Sequence, residues 1–467
     1  MQSKKLKEKI RLYFPFTPTP EQDSLITDIA DFVSTIGNRS IFMLKGYAGT
    51  GKTTLVSTLV KSLPVLGKRS VLMAPTGRAA KVLSKYSKKS SSTIHKKIYW
   101  IRTNKSGNTF IKLKENTHSN TIFIVDEASM IPENSDKGFV NRSLLNDLIK
   151  YVYEGRDCKL ILIGDTAQLP PVHLDMSPAL DKEKLEINYN KQVICNEITQ
   201  VVRQKEDSLI LENATNLRNK IANDDYSYPR LRTNAEVIRL NTGEDLHDAL
   251  EAAYSNEGIN STTILCRSNK RANQYNQQVR AKIRWQENEI SGGDKLMVVR
   301  NNYYWLDDSS KAGFIANGDI VEVIKIKEII ERYGFRFAKA SIQMADYLEE
   351  KELDVILLLE TLASESPAIT YEQYKQLYKE VGLDYKGQKE INKKIKEDKF
   401  FNALQVKFAY AITCHKSQGG QWENVFVDLG YFTEDMLDKS YMRWLYTAIT
   451  RASQKLYLIN FNENFFK

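Results

Sequence analysis

Cysteine is scarce in this chain of 467 residues: there are four, Cys158, Cys195, Cys266 and Cys414, and none forms a C-x-x-C pair. That spacing excludes a disulfide framework and a cysteine-ligated zinc site, and leaves buried free thiols as the expectation. Histidine is nearly as rare, with five residues and no H-E-x-x-H, so histidine metal ligation has no motif to rest on. No apolar run approaches the roughly 18 to 20 residues that span a bilayer. The longest, near Leu160–Ile163 and Val355–Leu359, are the size of a strand or short helix. The Lys-rich start of the chain lacks the apolar core and cleavage site of a secretory signal, which predicts a cytoplasmic protein without membrane association. Repeats and low-complexity segments are also missing.

What is present is the composition of a folded protein, 42% hydrophobic and 27% charged. At roughly 100 to 200 residues per domain the length predicts two to four domains. Lysine and arginine outnumber aspartate and glutamate by 67 to 58, a net charge of +9. This makes nucleic acid the first partner to consider, although a surplus spread along the chain decides nothing.

The first decisive pattern is Gly46-Tyr47-Ala48-Gly49-Thr50-Gly51-Lys52-Thr53-Thr54, between the apolar run Ile41–Leu44 and the helix-patterned Leu55–Leu63. Strand, glycine-rich turn and helix in that order form a phosphate cradle. Backbone N–H groups curl around a triphosphate, Lys52 reaches its β- and γ-phosphates, and Thr53 offers a hydroxyl to Mg²⁺. A second strand, Thr121–Val125, ends in Asp126-Glu127; Asp126 suits the metal and Glu127 a general base for water. A third, Lys159–Ile163, runs into Gly164-Asp165-Thr166-Ala167-Gln168, where Gln168 is placed to sense a γ-phosphate. Three strands ending in phosphate or metal chemistry fit the ligand-binding edge of an open α/β sheet. Upstream, Thr19 and Pro20 read as the N-cap and first turn of a helix that aims Gln22 at an adenine edge.

These motifs, in order and over nearly the whole chain, resemble superfamily 1 DNA helicases of the RecD-like and Dda-like 5′-to-3′ branch. The resemblance extends to Ala74-Pro75-Thr76-Gly77-Arg78-Ala79-Ala80, Ser92-Thr93-Ile94-His95, Gly164–Val172 and Val202-Arg203-Gln204. Most diagnostic are Ala411–Gly419, containing Thr413-Cys414-His415-Lys416-Ser417-Gln418, and Tyr446-Thr447-Ala448-Ile449-Thr450-Arg451-Ala452. It implies an α/β fold with two RecA-like P-loop NTPase domains sandwiching Mg-ATP, with single-stranded DNA running across both. It further implies Arg203 and Arg451 as arginine fingers, with Gln418 and Gly419 closing over the γ-phosphate. Pro75, Thr76, Arg78, Thr93 and His95 in the first domain, and Thr413, His415 and Lys416 in the second, then line the DNA path. The nucleotide pocket comprises Gln22, Gly46, Ala48, Gly49, Thr50, Gly51, Lys52, Thr53 and Thr54.

Two insertions complete the organisation. Two strand-like runs, Ile98–Thr103 and Thr109–Leu113, flank a turn-rich five residues and predict a β-hairpin. In the resembled family a hairpin here is the pin that splits a duplex. Tyr99, Trp100 and Phe110 then either stack on the last base pair or pack the hairpin onto its domain. Residues 292–408 interrupt the second domain: strand alternation and the Asn317-Gly318 turn predict a small β-barrel, SH3-like in the family, and the charged pattern after Tyr347 predicts a helical extension. The expected domains are 1–190, with the hairpin at 96–120, then 191–291 joined to 409–467, with 292–408 inserted.

The function these features imply is an ATP-dependent helicase acting at single-stranded DNA and duplex junctions, active as a monomer because both finger arginines lie in one chain. Rival readings are an ATP-driven remodeller that displaces proteins from DNA without strand separation, and a helicase-nuclease. The chain begins its adenine-side motif almost at once, which argues against an obligate place in a large recombination complex. Protein partners are not legible in the sequence.

Overall fold

The computed structural model describes residues 1–37, 40–103, 109–133, 143–201, 208–306, 310, 314–345, 347 and 351–466, without the side chains of 101–103 and 109–111. Its first lobe contains the strands β1 (Ser40–Gly46), β2 (Arg69–Ala74), β3 (Ser91–Thr93), β4 (Tyr99–Thr103), β5 (Thr109–Leu113), β6 (Thr121–Val125), β7 (Lys159–Gly164) and β8 (Gln192–Ile198). All but β4 and β5 form one parallel sheet in the order β3-β2-β6-β7-β1-β8. Its central strands read as unbroken apolar runs because both faces are covered. Phe42, Leu44, Ile122, Ile124 and Ile161 face one core, shared with the helices Gln2–Tyr13, Pro20–Ser34 and Lys52–Ser62. Their neighbours Ile41, Met43, Phe123, Val125 and Leu160 face the other, against the helix Leu144–Glu154. β4 and β5 pair antiparallel from Tyr99↔Leu113 to Thr103↔Thr109 as a separate hairpin.

After the helix Leu209–Ala222 come β9 (Val237–Leu240) and β10 (Thr262–Cys266). The next strands are β11 (Lys295–Val298), β12 (Ile320–Arg332), β13 (Phe335–Met344), β14 (Leu353–Leu358) and β15 (Leu404–Phe408), followed by β16 (Ala411–Thr413), β17 (Trp422–Asp428) and β18 (Ala452–Ile459). The second lobe is the parallel sheet β16-β10-β17-β18-β9, and β11 to β15 close into a barrel. Val298, Val321 and Ala340 of the barrel share one apolar core with Ile264, Phe426 and Ile459 of the sheet. A buried ion pair reinforces that junction. Arg280, on the turn after the helix Asn269–Gln278, donates to both carboxylate oxygens of Asp294 at 2.9 Å. Asp294 also accepts from the Tyr410 hydroxyl at 2.9 Å and the Ser291 N–H at 2.8 Å. The α/β class, the two parallel sheets and the small barrel agree with the sequence-based expectation.

Three details differ from it. Gln192–Ile198 pairs with β1 over its whole length, so this segment extends the first sheet although the sequence reading begins the second domain at 191. As an edge strand it alternates exposed and buried residues, and nothing local marks which sheet it joins. Leu353–Leu358 lies where a helical extension was expected but is a barrel strand paired with β13. A short apolar run suits either state until pairing decides. The extension itself is formed by the helices Tyr371–Asp384 and Ile391–Glu397, whose Leu377, Val381 and Ile395 pack on Phe335, Phe337 and Leu358 of the barrel. Finally, Cys158, Cys266 and Cys414 are buried but Cys195, on the edge strand β8, is exposed. Among the described residues no helix is long and apolar enough to cross a membrane.

Candidate nucleotide site and nucleic-acid face

The C-terminal ends of β1, β6 and β7 place their loops at one edge of the first sheet. Gly49 and Gly51 take φ of 80° and 90°, a region that side chains disfavour, and the turn they permit opens directly into the helix at Lys52. Lys52 Nζ donates to the Gly46 and Tyr47 carbonyls at 2.5 and 2.7 Å, which folds its ammonium over the loop. Thr50 is buried, its hydroxyl donating to Tyr47 O at 2.9 Å, while Thr53 is exposed and Thr54 half-buried at the helix start. Gln22 occupies the third helical position of a capping box with Thr19. Its Oε1 accepts from the Thr19 N–H and its Nε2 donates to Thr50 O, both at 3.1 Å. In this structure the amide therefore braces the phosphate loop against its neighbouring helix.

At the end of β6, Asp126 Oδ1 accepts the Glu127 N–H at 2.9 Å and Oδ2 accepts the Tyr86 hydroxyl, a partner the sequence did not suggest. Glu127 has φ of 54°, left-handed for a residue with a side chain. Such a conformation costs about 1 to 2 kcal/mol and is retained where the surroundings enforce it. The protein around its carboxyl and the negative charge of Asp126 push its pKa up to about 7, against the opposing pull of Arg451 and Lys52. A carboxyl poised near neutrality suits proton transfer.

The second lobe meets this edge through the helix Lys439–Ile449 and the segment after β16. Tyr446 O–H donates to Asp165 Oδ2 at 2.8 Å and its oxygen accepts the Ala48 N–H at 2.9 Å, so one hydroxyl ties both loops to the other lobe. Burial and Asp165 raise the tyrosine pKa well above its usual value, which keeps that proton in place. Thr447 Oγ1 accepts the Leu169 N–H at 2.8 Å, and Gln418 Nε2 donates to Leu169 O at 2.6 Å. Gln168 Nε2 lies 3.4 Å from Asp165 Oδ2, while its Oε1 is buried without a partner among the described residues. An orphaned acceptor of that kind marks an unfilled polar role. Arg451 is only 4% exposed. It donates to Thr447 O at 3.0 Å, Gly420 O at 3.2 Å and Thr450 Oγ1 at 3.1 Å, yet its charge still acts on Glu127. Arg203 lies outside the described residues.

Comparison with known proteins matches the AAA domain family to residues 19–227 and the UvrD-like helicase C-terminal domain to residues 408–459. These contain, respectively, the phosphate loop with its partner strands and the segments carrying Gln418 and Arg451. The chain thus carries an AAA domain followed by a UvrD-like helicase C-terminal domain, and it is similar to DNA helicases of the Dda/RecD-like group. It is 25% identical over 497 residues to an uncharacterised protein, R530, of Acanthamoeba polyphaga mimivirus, covering 89% of this chain and 94% of that one. It is 26% identical over 316 residues to the ATP-dependent DNA helicase dda of Enterobacteria phage T4, covering 65% and 66%. To the ATP-dependent RecD2 DNA helicase of Deinococcus radiodurans it is 28% identical over 155 residues, 33% of this chain and 19% of that one. A crystal structure of the Pif1 helicase from Bacteroides in complex with ADP-AlF3 and ssDNA overlays 96% of this chain and 95% of that one, with a TM-score of 0.47 and 15% identity.

In this chain the residues expected to meet DNA sit beside the nucleotide edge. Pro75, Thr76 and Arg78 follow β2, Thr93 ends β3 and His95 comes two residues after it. The Thr76 and Thr93 hydroxyls each cap a helix, accepting from Ala79 N at 3.2 Å and Lys96 N at 3.1 Å, which leaves their O–H free to donate elsewhere. His95 is half-buried against Tyr99, with ring centroids 5.8 Å apart. In the second lobe Thr413 and Lys416 are half-buried and His415 is exposed. Burial, with Lys407 close by, lowers the Lys416 ammonium to about 8. Arg78 is placed otherwise: its guanidinium lies 3.8 Å from the ring centroid of Trp422 in the second lobe.

The hairpin aromatics separate by strand period. Tyr99 is buried and donates to Asp147 Oδ2 at 2.8 Å, so it packs the hairpin onto its lobe. Trp100 is 53% exposed, with Lys114 Nζ 4.7 Å from its ring centroid. The side chain of Phe110 lies outside the described residues. Tyr446 and Thr447 lay within a motif the sequence had already marked. Tyr86 and Trp422 carried no signal, because their roles arise only from contacts across the fold.

Proposed function

We propose that this helicase hydrolyses Mg-ATP between its two lobes, moves 5′ to 3′ on single-stranded DNA and separates duplex DNA, acting as a monomer in the cytoplasm. The observation that carries the reading is the composite pocket. Lys52, Asp126, Glu127 and Gln168 from one lobe meet Gln418, Tyr446 and Arg451 from the other, all in one chain. Asp126 and Thr53 offer one carboxylate and one hydroxyl, a sparse oxygen set that suits Mg²⁺, which keeps several of its waters. When bound, the ion neutralises charge on the phosphate oxygens.

The remaining work falls to the protein. Backbone N–H groups from Gly46 to Thr54 and the Lys52 ammonium hold the triphosphate, and Tyr86 fixes Asp126. Glu127 takes the proton of the attacking water, and Gln168, with its unfilled Oε1, orients that water or the γ-phosphate. Arg451, with Arg203, neutralises charge that grows in the transition state. Because the pocket is made by both lobes, each turnover opens and closes the cleft, and DNA spanning Thr76, Thr93, His415 and Lys416 is moved with it. Phosphate contacts of this kind give sequence-independent grip. The similarity to dda and RecD2, both ATP-dependent DNA helicases, supports the substrate class, while the 5′-to-3′ direction rests on the motif resemblance alone.

The test is ATP-driven separation of a duplex bearing either a 5′ or a 3′ single-stranded tail. The expected result is unwinding from the 5′ tail, abolished by Lys52→Ala. Unwinding from the 3′ tail alone overturns the polarity. ATP turnover with no separation from either tail points to a remodeller instead.

A further inference from the structure

Arg78 stands in the first turn of the helix Gly77–Ser87, inside the run assigned to DNA, yet it is engaged with the opposite lobe. Its partner Trp422 is 3% exposed. The interface is shaped for this approach, since a Cβ on Gly420 would fall 2.5 Å from Arg78 Nε, and one on Gly419 would fall 2.7 Å from Ala79 Cβ. The residues that receive Arg78 also bracket the arginine finger. Gly420 O accepts from Arg451 Nη1 at 3.2 Å, and the Trp422 N–H donates to Arg451 O at 3.0 Å. Arg78 on the DNA side and Arg451 on the nucleotide side are thus separated by one short segment, Gly420–Trp422.

A finger must direct guanidinium N–H groups at the γ-phosphate, whereas here Arg451 directs them at Thr447, Gly420 and Thr450. We propose that Arg78 is the positioning residue that couples DNA binding to hydrolysis. Stacked on Trp422, it holds the Gly420–Trp422 segment so that Arg451 stays parked on protein acceptors. A DNA phosphate draws the Arg78 guanidinium into a charge-assisted pair, the segment relaxes, and Arg451 is released toward the nucleotide. The inference rests on the helicase reading, because it takes the strand across the start of this helix. It goes beyond that reading by making Arg78 a brake on the finger as well as a phosphate contact.

The experiment measures steady-state ATP hydrolysis against DNA concentration for wild type, Arg78→Ala, Arg78→Lys and Trp422→Phe, using an oligothymidylate. The wild type is expected to be slow without DNA and strongly stimulated by it. Arg78→Ala should raise the DNA-free rate by about twofold to thirtyfold, the range that a cation–π contact commands, and lose most of the stimulation. Arg78→Lys keeps the charge but stacks less well, so it should fall between the two; Trp422→Phe keeps a ring and should retain most of the brake. If Arg78→Ala keeps the wild-type DNA-free rate and the wild-type rate at saturating DNA, and only its half-saturating DNA concentration rises, Arg78 is a simple contact and the coupling is overturned. A wild-type rate that DNA leaves unchanged overturns the helicase reading itself.

Discussion

Glu127 combines two costs that a structural residue would avoid, a left-handed backbone and a carboxyl held where its charge is poorly solvated. Replacing it with glutamine removes the charge but keeps the backbone conformation, so the two can be separated. Moving a carboxyl from its ordinary 4.5 to about 7 corresponds to about 3 kcal/mol, at roughly 1.4 kcal/mol per tenfold change in proton affinity. The sign follows from where the proton resides. Below 4.5 the group is neutral in both folded and unfolded chains, and the wild type carries no penalty. Between 4.5 and about 7 the unfolded chain gives up the proton while the folded one keeps it, so stability falls across that window and levels off once the folded state is ionised as well. Glu127→Gln should therefore melt close to wild type near pH 4.5 and above it at pH 8, with about 3 kcal/mol as the ceiling, while ATP turnover is abolished. The assay is thermal unfolding of both proteins across this pH range, free of nucleotide and Mg²⁺, because either would change the charge around Asp126. A stability difference that stays constant from pH 5 to pH 8 would refute the argument, since it would place the effect in packing.

Other expectations follow from particular contacts. Trp100→Ala should leave DNA-stimulated ATP hydrolysis near wild type but reduce strand separation, measured on the same tailed duplex, because Trp100 is exposed on the hairpin; Tyr99→Phe, which loses the bond to Asp147, should affect stability rather than unwinding. Asp294→Ala leaves Arg280 buried without its carboxylate, and a loss of about 3 to 5 kcal/mol is expected in urea unfolding. Replacing Arg280 and Asp294 together by apolar residues should cost much less.

The nucleotide side of this protein was legible in its linear sequence because the chemistry is local. A phosphate loop needs glycines, Lys52 and Thr53 within a few residues, and Asp126-Glu127 needs only the end of one strand. Both faces of the first sheet are buried, so its central strands announce themselves as apolar runs. Legibility ended where a role depends on residues far apart in the chain. Gln192–Ile198 joins the first sheet by pairing with Ser40–Gly46, a choice its own residues do not declare. Leu353–Leu358 became a strand because β13 offered it a partner. Tyr99 and Trp100 look alike in sequence, and only the side of the hairpin that faces the lobe separates packing from exposure. Tyr446 lies 398 residues from Ala48, and Trp422 more than 300 from Arg78, yet these pairs join the two lobes. The sequence by itself determined what chemistry each lobe carries. The tertiary structure decided how the lobes touch, because that depends on close approach at Gly419 and Gly420 and on hydrogen bonds made only when two separately folded sheets meet.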